Sequence, residues 1–173
     1  MHIRHFLIIG CLSLLMAGCR QAPRLTFTGA TIPEGAESFS VANFMNDASD
    51  GPANLGIRFT EDLRDYFQRN TSLEQVVGAG DLQFSGSITR YDLTPVSAGA
   101  TETQGAQLQR LTIAVKYDYI VVPNDEKSIE NGSASQFSDF SASQNLADVE
   151  DELIDEIFEQ IIFDIFNRTL ADW

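Results

Sequence analysis

Histidine and cysteine are nearly absent from this sequence of 173 residues. Both histidines, His2 and His5, and both cysteines, Cys11 and Cys19, lie close to the N-terminus. The rest of the chain therefore has no Ser–His or Cys–His nucleophilic pair, no usual set of zinc ligands and no thiol pair for a disulfide. It also lacks the glycine-rich GxxxxGKS/T and GxGxxG sequences that cradle phosphates. These absences exclude several enzyme classes and predict a chain that is not an enzyme and has no cofactor.

Basic residues are scarce as well. The chain has 11 Lys and Arg against 25 Asp and Glu, which gives a net charge of −14. Proteins that bind nucleic acid gain much of their affinity by neutralising phosphates, so no nucleic-acid partner is expected. The sequence also has no run of Lys and Arg that would bind an anionic membrane surface. This charge favours a domain that stays in water, and attachment to a membrane would need a separate anchor.

The first 18 residues predict such an anchor, because they have the layout of a secretory signal peptide. Arg4 lies in the short charged start, Phe6–Leu15 is an apolar run, and the small residues Ala17 and Gly18 precede Cys19. The apolar run is too short to span a bilayer, which takes about 20 residues. Ala17-Gly18-Cys19 resembles the bacterial lipobox, in which the cysteine is acylated and becomes the first residue. The alternative is an ordinary cleaved signal that happens to contain a cysteine.

Acylation of Cys19 predicts a lipid-anchored protein. Arg20 follows the cysteine, whereas an aspartate at that position retains lipoproteins at the inner membrane in the best-known sorting systems. The outer membrane is therefore the expected destination. We divide the chain into a signal peptide (residues 1–18), a lipidated tether (19–24) and a single α/β domain (25–173).

Two segments have the apolar spacing of amphipathic helices. In Asn54–Asn70 an apolar residue recurs every four positions opposite charged side chains, which predicts a surface helix with one buried stripe. The second helix is expected to begin after a cap at Ser143 or Asn145. It carries two adjacent apolar rows, which indicate a face wide enough to cover a sheet; the rows are Leu146, Val149, Leu153, Ile157, Ile161 and Ile165, and Ile154, Phe158, Ile162 and Phe166.

Alternation of apolar and polar residues predicts the strands. The long segments Leu82–Leu93 and Leu108–Val122 are typical of antiparallel strands with one covered face. Shorter strands are predicted at Ser38–Phe44 and Ser133–Phe140, and a first one at Leu25–Thr28. The fold class that follows is α+β: a two-layer sandwich, with two helices packed on one face of a mixed or antiparallel sheet of about four strands.

Two loops contain candidate features. Met45–Ala53 is rich in turn residues, and the spacing of its Asp47 and Asp50 before Gly51 does not match a calcium loop, so a turn is predicted. Thr94–Gln107 is long and polar. A connection of that length in a compact domain is usually functional or disordered. It is therefore the first candidate for contact with a partner.

Charged and aromatic side chains are the remaining candidates. Arg90, Arg110 and Lys116 fall on neighbouring predicted strands, where a basic cluster would bind an anionic ligand; scattered solubilising charges are the alternative. The many carboxylates of the last helix are typical of a solvated face rather than of paired catalytic groups. Three strand residues are also candidates for partial exposure, namely Tyr91, Tyr117 and Tyr119.

Together these features resemble the lipopolysaccharide-assembly lipoproteins of the LptE family. The resemblance covers nearly all of the chain after the lipobox, and it rests on the order and pattern of segments, none of which is a catalytic signature. It is carried by Cys19, by Phe27-Thr28-Gly29-Ala30 with Ile32-Pro33, by Val41-Ala42-Asn43-Phe44, by the helix from Phe59 to Phe67, by Gly80-Asp81-Leu82-Gln83-Phe84 with Gly86-Ser87-Ile88, and by the long final helix ending at Trp173.

The resemblance implies an outer-membrane lipoprotein, palmitoylated at the lipobox cysteine, that plugs a large β-barrel of the LptD type and helps deliver lipopolysaccharide to the cell surface. Direct lipopolysaccharide binding in the family is associated with basic residues, for which Arg90, Arg110 and Lys116 are the candidates here. Because this chain is acidic and the ligand is polyanionic, the plug role has more weight. A scaffold for another secretion or envelope complex is the rival role. A hydrolase that uses carboxylates alone, such as Glu152 or Asp155, is a third.

Overall fold

Two helices pack on one face of a mixed β-sheet in the computed structural model, which describes residues 30–96 and 107–171. Cys19, the predicted strand Leu25–Thr28 and the central part of the Thr94–Gln107 connection lie outside the described residues. In chain order the elements are β1 (Ser38–Val41), β2 (Met45–Asn46), α1 (Leu55–Asn70), β3 (Glu74–Gln75), β4 (Leu82–Val96), β5 (Leu108–Val121), a 3₁₀ turn (Asp125–Lys127), β6 (Ile129–Ser141) and α2 (Leu146–Leu170).

The strands form one six-stranded sheet in the order β3–β1–β4–β5–β6, with β2 paired separately to β4. The long strands β4, β5 and β6 are antiparallel neighbours, whereas β1 runs parallel to β3 and β4. β2 is also parallel to β4, where Met45 lies opposite Ser87. The predicted class is confirmed. The predicted strand count was too low, because β2 and β3 are each two residues long and contain no alternation.

The buried core lies between the sheet and the two helices. Phe59 of α1 and Phe158 of α2 meet edge to face, with ring centroids 5.0 Å apart. Alternate residues of β4 and β5 complete the core, among them Phe84 and Tyr119, whose ring centroids are 4.9 Å apart. The two apolar rows predicted for α2 are buried along most of the helix, as Leu153, Ile154, Ile157, Phe158, Ile161, Ile162, Ile165 and Phe166.

β1 is shorter than the strand predicted at Ser38–Phe44. It ends at Val41, because α1 engages the backbone groups that follow. Nη2 of Arg64 donates to the Val41 carbonyl at 2.6 Å, and the Phe44 N–H donates to Oγ1 of Thr60 at 2.9 Å. The chain then re-enters the sheet as β2, although its sequence is typical of a turn. Contacts with α1 therefore decide the path of this segment.

Other boundaries shift by a few residues. β4 continues to Val96, so Thr94 belongs to the sheet and not to the connecting loop. β6 begins at Ile129, earlier than predicted. Of the two candidate caps of α2, Asn145 occupies the position, since its side chain accepts the N–H of Ala147 at 3.4 Å.

The buried hydroxyl of Thr60 supports a first testable prediction. Thr60 is 1% exposed, and its hydroxyl donates to the Gly56 carbonyl at 2.7 Å while it accepts the Phe44 N–H. Thr60→Val keeps the shape but leaves that buried N–H unpaired, so we expect the free energy of unfolding to fall by about 1–3 kcal/mol. Urea unfolding measures the change, with Thr60→Ser as the variant that keeps the oxygen. A valine variant as stable as the parent would contradict the expectation.

Candidate functional site

The second face of β4, β5 and β6 is covered by no helix in the described part of the chain, and we call it the open face. Its side chains are in register across the three strands, so that Asp92 lies opposite Thr112 and Thr112 opposite Phe137. None of them is buried. Most are small or polar: Gln83, Ser85, Ser87, Arg90, Asp92 and Thr94 of β4, Arg110, Thr112, Ala114, Lys116 and Asp118 of β5, and Ser133, Ser135, Phe137 and Asp139 of β6.

A β-bulge places Arg90 on the open face. The register between β4 and β5 shifts between Ile88 and Arg90, so that Ile88 and Tyr91 both face the core although they are three positions apart. Strict alternation along β4 would have turned Arg90 inward. With the bulge, Arg90 lies opposite Ala114 and shares the open face with Lys116, two residues further along β5.

Arg110 lies on the same face but is already paired. Its Nε and Nη2 donate to the two carboxylate oxygens of Asp139 at 2.7 Å and 2.8 Å. Its guanidinium carbon also lies 3.6 Å from the centroid of the Phe137 ring. Hydrogen bonding between the two groups raises the pKa of Arg110 and lowers the pKa of Asp139. The structure thus places the three predicted cations on one face. Of these three, Arg110 is paired with Asp139, whereas Arg90 and Lys116 have no carboxylate partner within residues 30–96 and 107–171.

Charge is divided unevenly between the two layers. α2 carries eight carboxylates and one cation, Arg168. The three strands β4, β5 and β6 together carry three cations and four carboxylates. Much of the excess negative charge therefore lies on the helical side. A polyanionic ligand is repelled less at the open face than at α2.

The carboxylates of α2 make structural contacts. Arg58 of α1 donates to Asp151 at 2.9 Å and to Asp155 at 2.5 Å, which joins the two helices. Burial lowers the pKa of Arg58, but its bonds to Asp155 and Asp151 raise it overall. Glu156 accepts the hydroxyl of Ser138 on β6 at 2.7 Å. Over the described ranges no three His, Cys, Asp or Glu side chains are grouped as a metal site.

The strand tyrosines are buried, so their expected exposure was wrong. Tyr91, Tyr117 and Tyr119 are 8%, 2% and 0% exposed. Burial raises the pKa of Tyr91, as does its hydroxyl bond to Glu150 at 2.5 Å. The Tyr119 hydroxyl has no hydrogen-bond partner among the residues the structure describes, and its burial also raises its pKa. These rings belong to the core.

Asp81 has a structural role that the sequence analysis did not identify. Its Oδ2 accepts the N–H groups of Glu37 and Ser38, each at 3.0 Å, and the Ser38 hydroxyl at 2.7 Å. These bonds lower the pKa of the Asp81 carboxyl. The carboxylate therefore ties the start of β1 to the start of β4.

Two helices on one face of a mixed sheet, with a polar surface on the other, define the class of this protein as an open α+β sandwich. The chain belongs to the LptE family, described as lipopolysaccharide-assembly, which matches residues 36–169. The family consists of non-enzymatic outer-membrane lipoproteins, and membership supports a role in lipopolysaccharide assembly. The resemblance seen in the sequence is confirmed.

Solved structures share this fold at low sequence identity. A hypothetical protein from Chlamydia trachomatis has a TM-score of 0.52 and 9% identity, with 79% of this chain and 99% of that chain covered. A homolog of neuraminyllactose-binding hemagglutinin from Helicobacter pylori has a TM-score of 0.51 and 10% identity, with 85% and 88% covered. A protein from Xanthomonas campestris has a TM-score of 0.50 and 12% identity, with 82% and 89% covered. No curated protein matches the chain.

Proposed function

We propose that this protein is the plug of the outer-membrane β-barrel that delivers lipopolysaccharide to the cell surface, an LptD-type partner. The open face is the observation that carries the proposal, because it is broad, polar and nearly balanced in charge. The lumen of such a barrel is polar and bounded by strands. Arg90 and Lys116, which have no carboxylate partner among the described residues, would meet polar groups there rather than an apolar surface. The Arg110–Asp139 ion pair supports this fit, since each group neutralises the other.

Attachment to the outer membrane is assigned to Cys19. In this proposal residues 1–18 are removed, Cys19 is acylated, and residues 19–24 tether the single domain of residues 25–173 on the periplasmic side or within the barrel lumen. In the part of the chain that the structure describes, no helix has the length and apolar character needed to cross a bilayer. The proposed means of holding the domain at the membrane is the lipid on Cys19.

The first described residues lie beside the end of α2. The Thr31 N–H donates to the Leu170 carbonyl at 2.5 Å, which fixes the first described residues there. A fully extended chain from Cys19 to Ala30 spans at most about 40 Å. The domain therefore works within that distance of the membrane surface, which is close enough to enter a barrel from the periplasm.

Direct contact with lipopolysaccharide is the smaller part of the proposed function. Arg90 and Lys116 are the open-face cations without a carboxylate partner in the described ranges, whereas Arg110 is neutralised by Asp139. Two cations on a chain with a net charge of −14 give little attraction for a polyanion. The proposal therefore assigns the open face mainly to the barrel wall.

Co-purification from detergent-solubilised membranes tests the plug role. We expect a large β-barrel to be recovered with the tagged protein. Asp92→Trp, which adds bulk to the open face, is expected to reduce that recovery roughly tenfold, a loss of about 1.4 kcal/mol. Ile57→Trp is the matched control, because Ile57 is 60% exposed on α1.

The same experiment separates the two roles considered for this family member. Recovery of periplasmic proteins without any barrel would instead support the scaffold of another envelope complex. Equal losses for the two tryptophan variants would show that the open face is not the surface that contacts the barrel.

A further inference from the structure

The outer edge of β6 has backbone groups without hydrogen-bond partners in the described residues. β6 is the last strand of the sheet, and β5 pairs with its other side. Just after β6, the Ala142 N–H donates to the Gln107 carbonyl next to β5 at 2.8 Å. The backbone groups of successive residues in a strand point to opposite sides. Those of Ser135, Phe137 and Asp139 therefore point away from β5.

Hydrogen bonds close the two ends of this edge. At one end, Nη1 of Arg168 donates to the Ser133 carbonyl at 2.8 Å. At the other end, the Gln144 N–H donates to the Ser141 carbonyl at 2.9 Å, and Oε1 of Gln144 accepts the Ser141 N–H at 3.3 Å. These bonds agree with the direction in which alternate residues of β6 point. The part of the edge that stays open is the middle, from Ser135 to Asp139.

This open stretch has the properties of a template for another strand. Its three outward-pointing residues each offer one N–H and one C=O group to an added strand. β6 contains no proline or lysine, which commonly protect an edge from pairing. The side chains of Ser135, Phe137 and Asp139 are exposed, so no buried group blocks the approach. The side chains beside the edge therefore select the strand that binds.

α2 places carboxylates along the middle of the edge. Glu156 accepts the Ser138 hydroxyl at 2.7 Å, and Asp164 accepts an N–H of the Gln136 side chain at 2.7 Å. Gln136 and Ser138 alternate with the outward-pointing residues of β6. The single cation of α2, Arg168, lies at the closed end of the edge. Alternate side chains of an added strand would therefore lie over acidic groups.

This charge argues against a second copy of the chain as the occupant. Gln136 and Ser138 lie on either side of Phe137, so two β6 strands paired about Phe137 would bring Glu156 of one copy towards Asp164 of the other. Each chain also has a net charge of −14, which adds to the repulsion. A strand with basic side chains at alternate positions would instead be attracted.

We propose that the edge of β6 from Ser135 to Asp139 binds an extended basic segment of a partner protein, which adds to the sheet as a further strand. Its basic side chains lie over Glu156 and Asp164. The intervening side chains are apolar and lie beside Phe137, which is 45% exposed. The inference does not depend on the plug role, because the backbone edge and the α2 carboxylates are not part of that role.

Peptide binding tests the proposal with the full-length acylated protein in non-ionic detergent, without a barrel. The probe is a short fluorescent peptide that alternates lysine and valine, and its control has glutamate in place of lysine. We expect the anisotropy of the lysine peptide to rise on binding and that of the glutamate peptide to stay unchanged. The lysine peptide should also slow exchange of the Ser135, Phe137 and Asp139 amides at least about tenfold.

Two matched pairs of variants locate the binding. Ser135→Pro removes an outward N–H, which an edge strand tolerates, whereas Ser135→Ala keeps it. We expect the proline variant to bind the lysine peptide about tenfold more weakly than the alanine variant. Glu156→Gln and Glu159→Gln remove the same charge, but Glu159 lies on the side of α2 next to Tyr66 of α1. Only Glu156→Gln should weaken binding, by about threefold.

Several results would overturn the proposal. The first is equal binding of the lysine and glutamate peptides, and the second is exchange of the edge amides at the same rate with and without the lysine peptide. Equal binding by the two Ser135 variants, or equal losses for the two glutamine variants, also overturns it. Edge amides already protected in a dimeric protein would assign the edge to a second copy instead.

A thermal melt checks that each variant is folded. If Ser135→Pro does not melt cooperatively, the two glutamine variants and the amide exchange of the parent decide the question. Because no barrel is present in these measurements, their failure leaves the plug role untouched.

Discussion

Ile157→Asp is expected to unfold the domain. Ile157 lies in the middle of α2 and is 0% exposed, on the face that packs against the sheet. The substitution removes a buried side chain, at a cost of about 2–5 kcal/mol, and it places a carboxylate in the hydrophobic core, which costs several kcal/mol more or forces its protonation. Because small domains are stable by about 5–15 kcal/mol, the combined loss leaves little or no folded protein.

Circular dichroism across a thermal melt measures this loss. The parent should show a cooperative transition, and the variant should lack it or melt far lower. Phe163→Asp is the matched control, since it makes the same kind of change on α2 at a side chain that is 52% exposed. An Ile157→Asp protein with the melting temperature of the parent would show that this face of α2 is not the core.

The helices and long strands were predictable because each depends on a local period. The two apolar rows of α2 recur at helical spacing. Every member of the rows is buried except Leu146 and Val149, which lie in the first turn of the helix. β5 alternates without interruption from Leu111 to Val121, and its alternate residues are buried. In these segments the solvent-facing and core-facing residues are set by the sequence itself.

The features that sequence reasoning missed depend on long-range pairing. β2 was not predicted, because its partner residues in β4 lie about forty positions further along the chain; Met45, for example, pairs with Ser87. The bulge after Ile88 shifts the phase of β4 and turns Tyr91 into the core, which strict alternation cannot indicate. Short strands and bulges are specified by tertiary contacts rather than by a local period.

The candidate site was predicted only in part, because its ion pairing also depends on long-range strand register. Arg90, Arg110 and Lys116 were expected on neighbouring strands, and they share the open face. The pairing of Arg110 with Asp139 follows from the β5–β6 register, which a single sequence does not define. Asp139 therefore neutralises Arg110, and only two of the three predicted cations remain to attract an anion, too few for a strong anion site.

Cys19→Ser is expected to convert a membrane-bound protein into a folded, released one. Each buried methylene of an acyl chain contributes about 0.8 kcal/mol, and one chain alone binds only marginally, so an anchor of several chains holds nearly all of the protein at the membrane. We therefore expect the membrane-bound fraction to fall from nearly all to nearly none, and incorporation of labelled palmitate to disappear.

Fractionation of cells depleted of the barrel measures this effect, because a barrel partner would otherwise retain the released domain. Cys11→Ser is the matched control: that cysteine lies in the predicted signal peptide, so its variant should stay membrane-bound and labelled. An unchanged melting transition shows that the Cys19→Ser domain is still folded. If that variant stayed in the membrane fraction of the depleted cells, the lipid would not be the anchor, and the domain would need to be attached by another part of the chain.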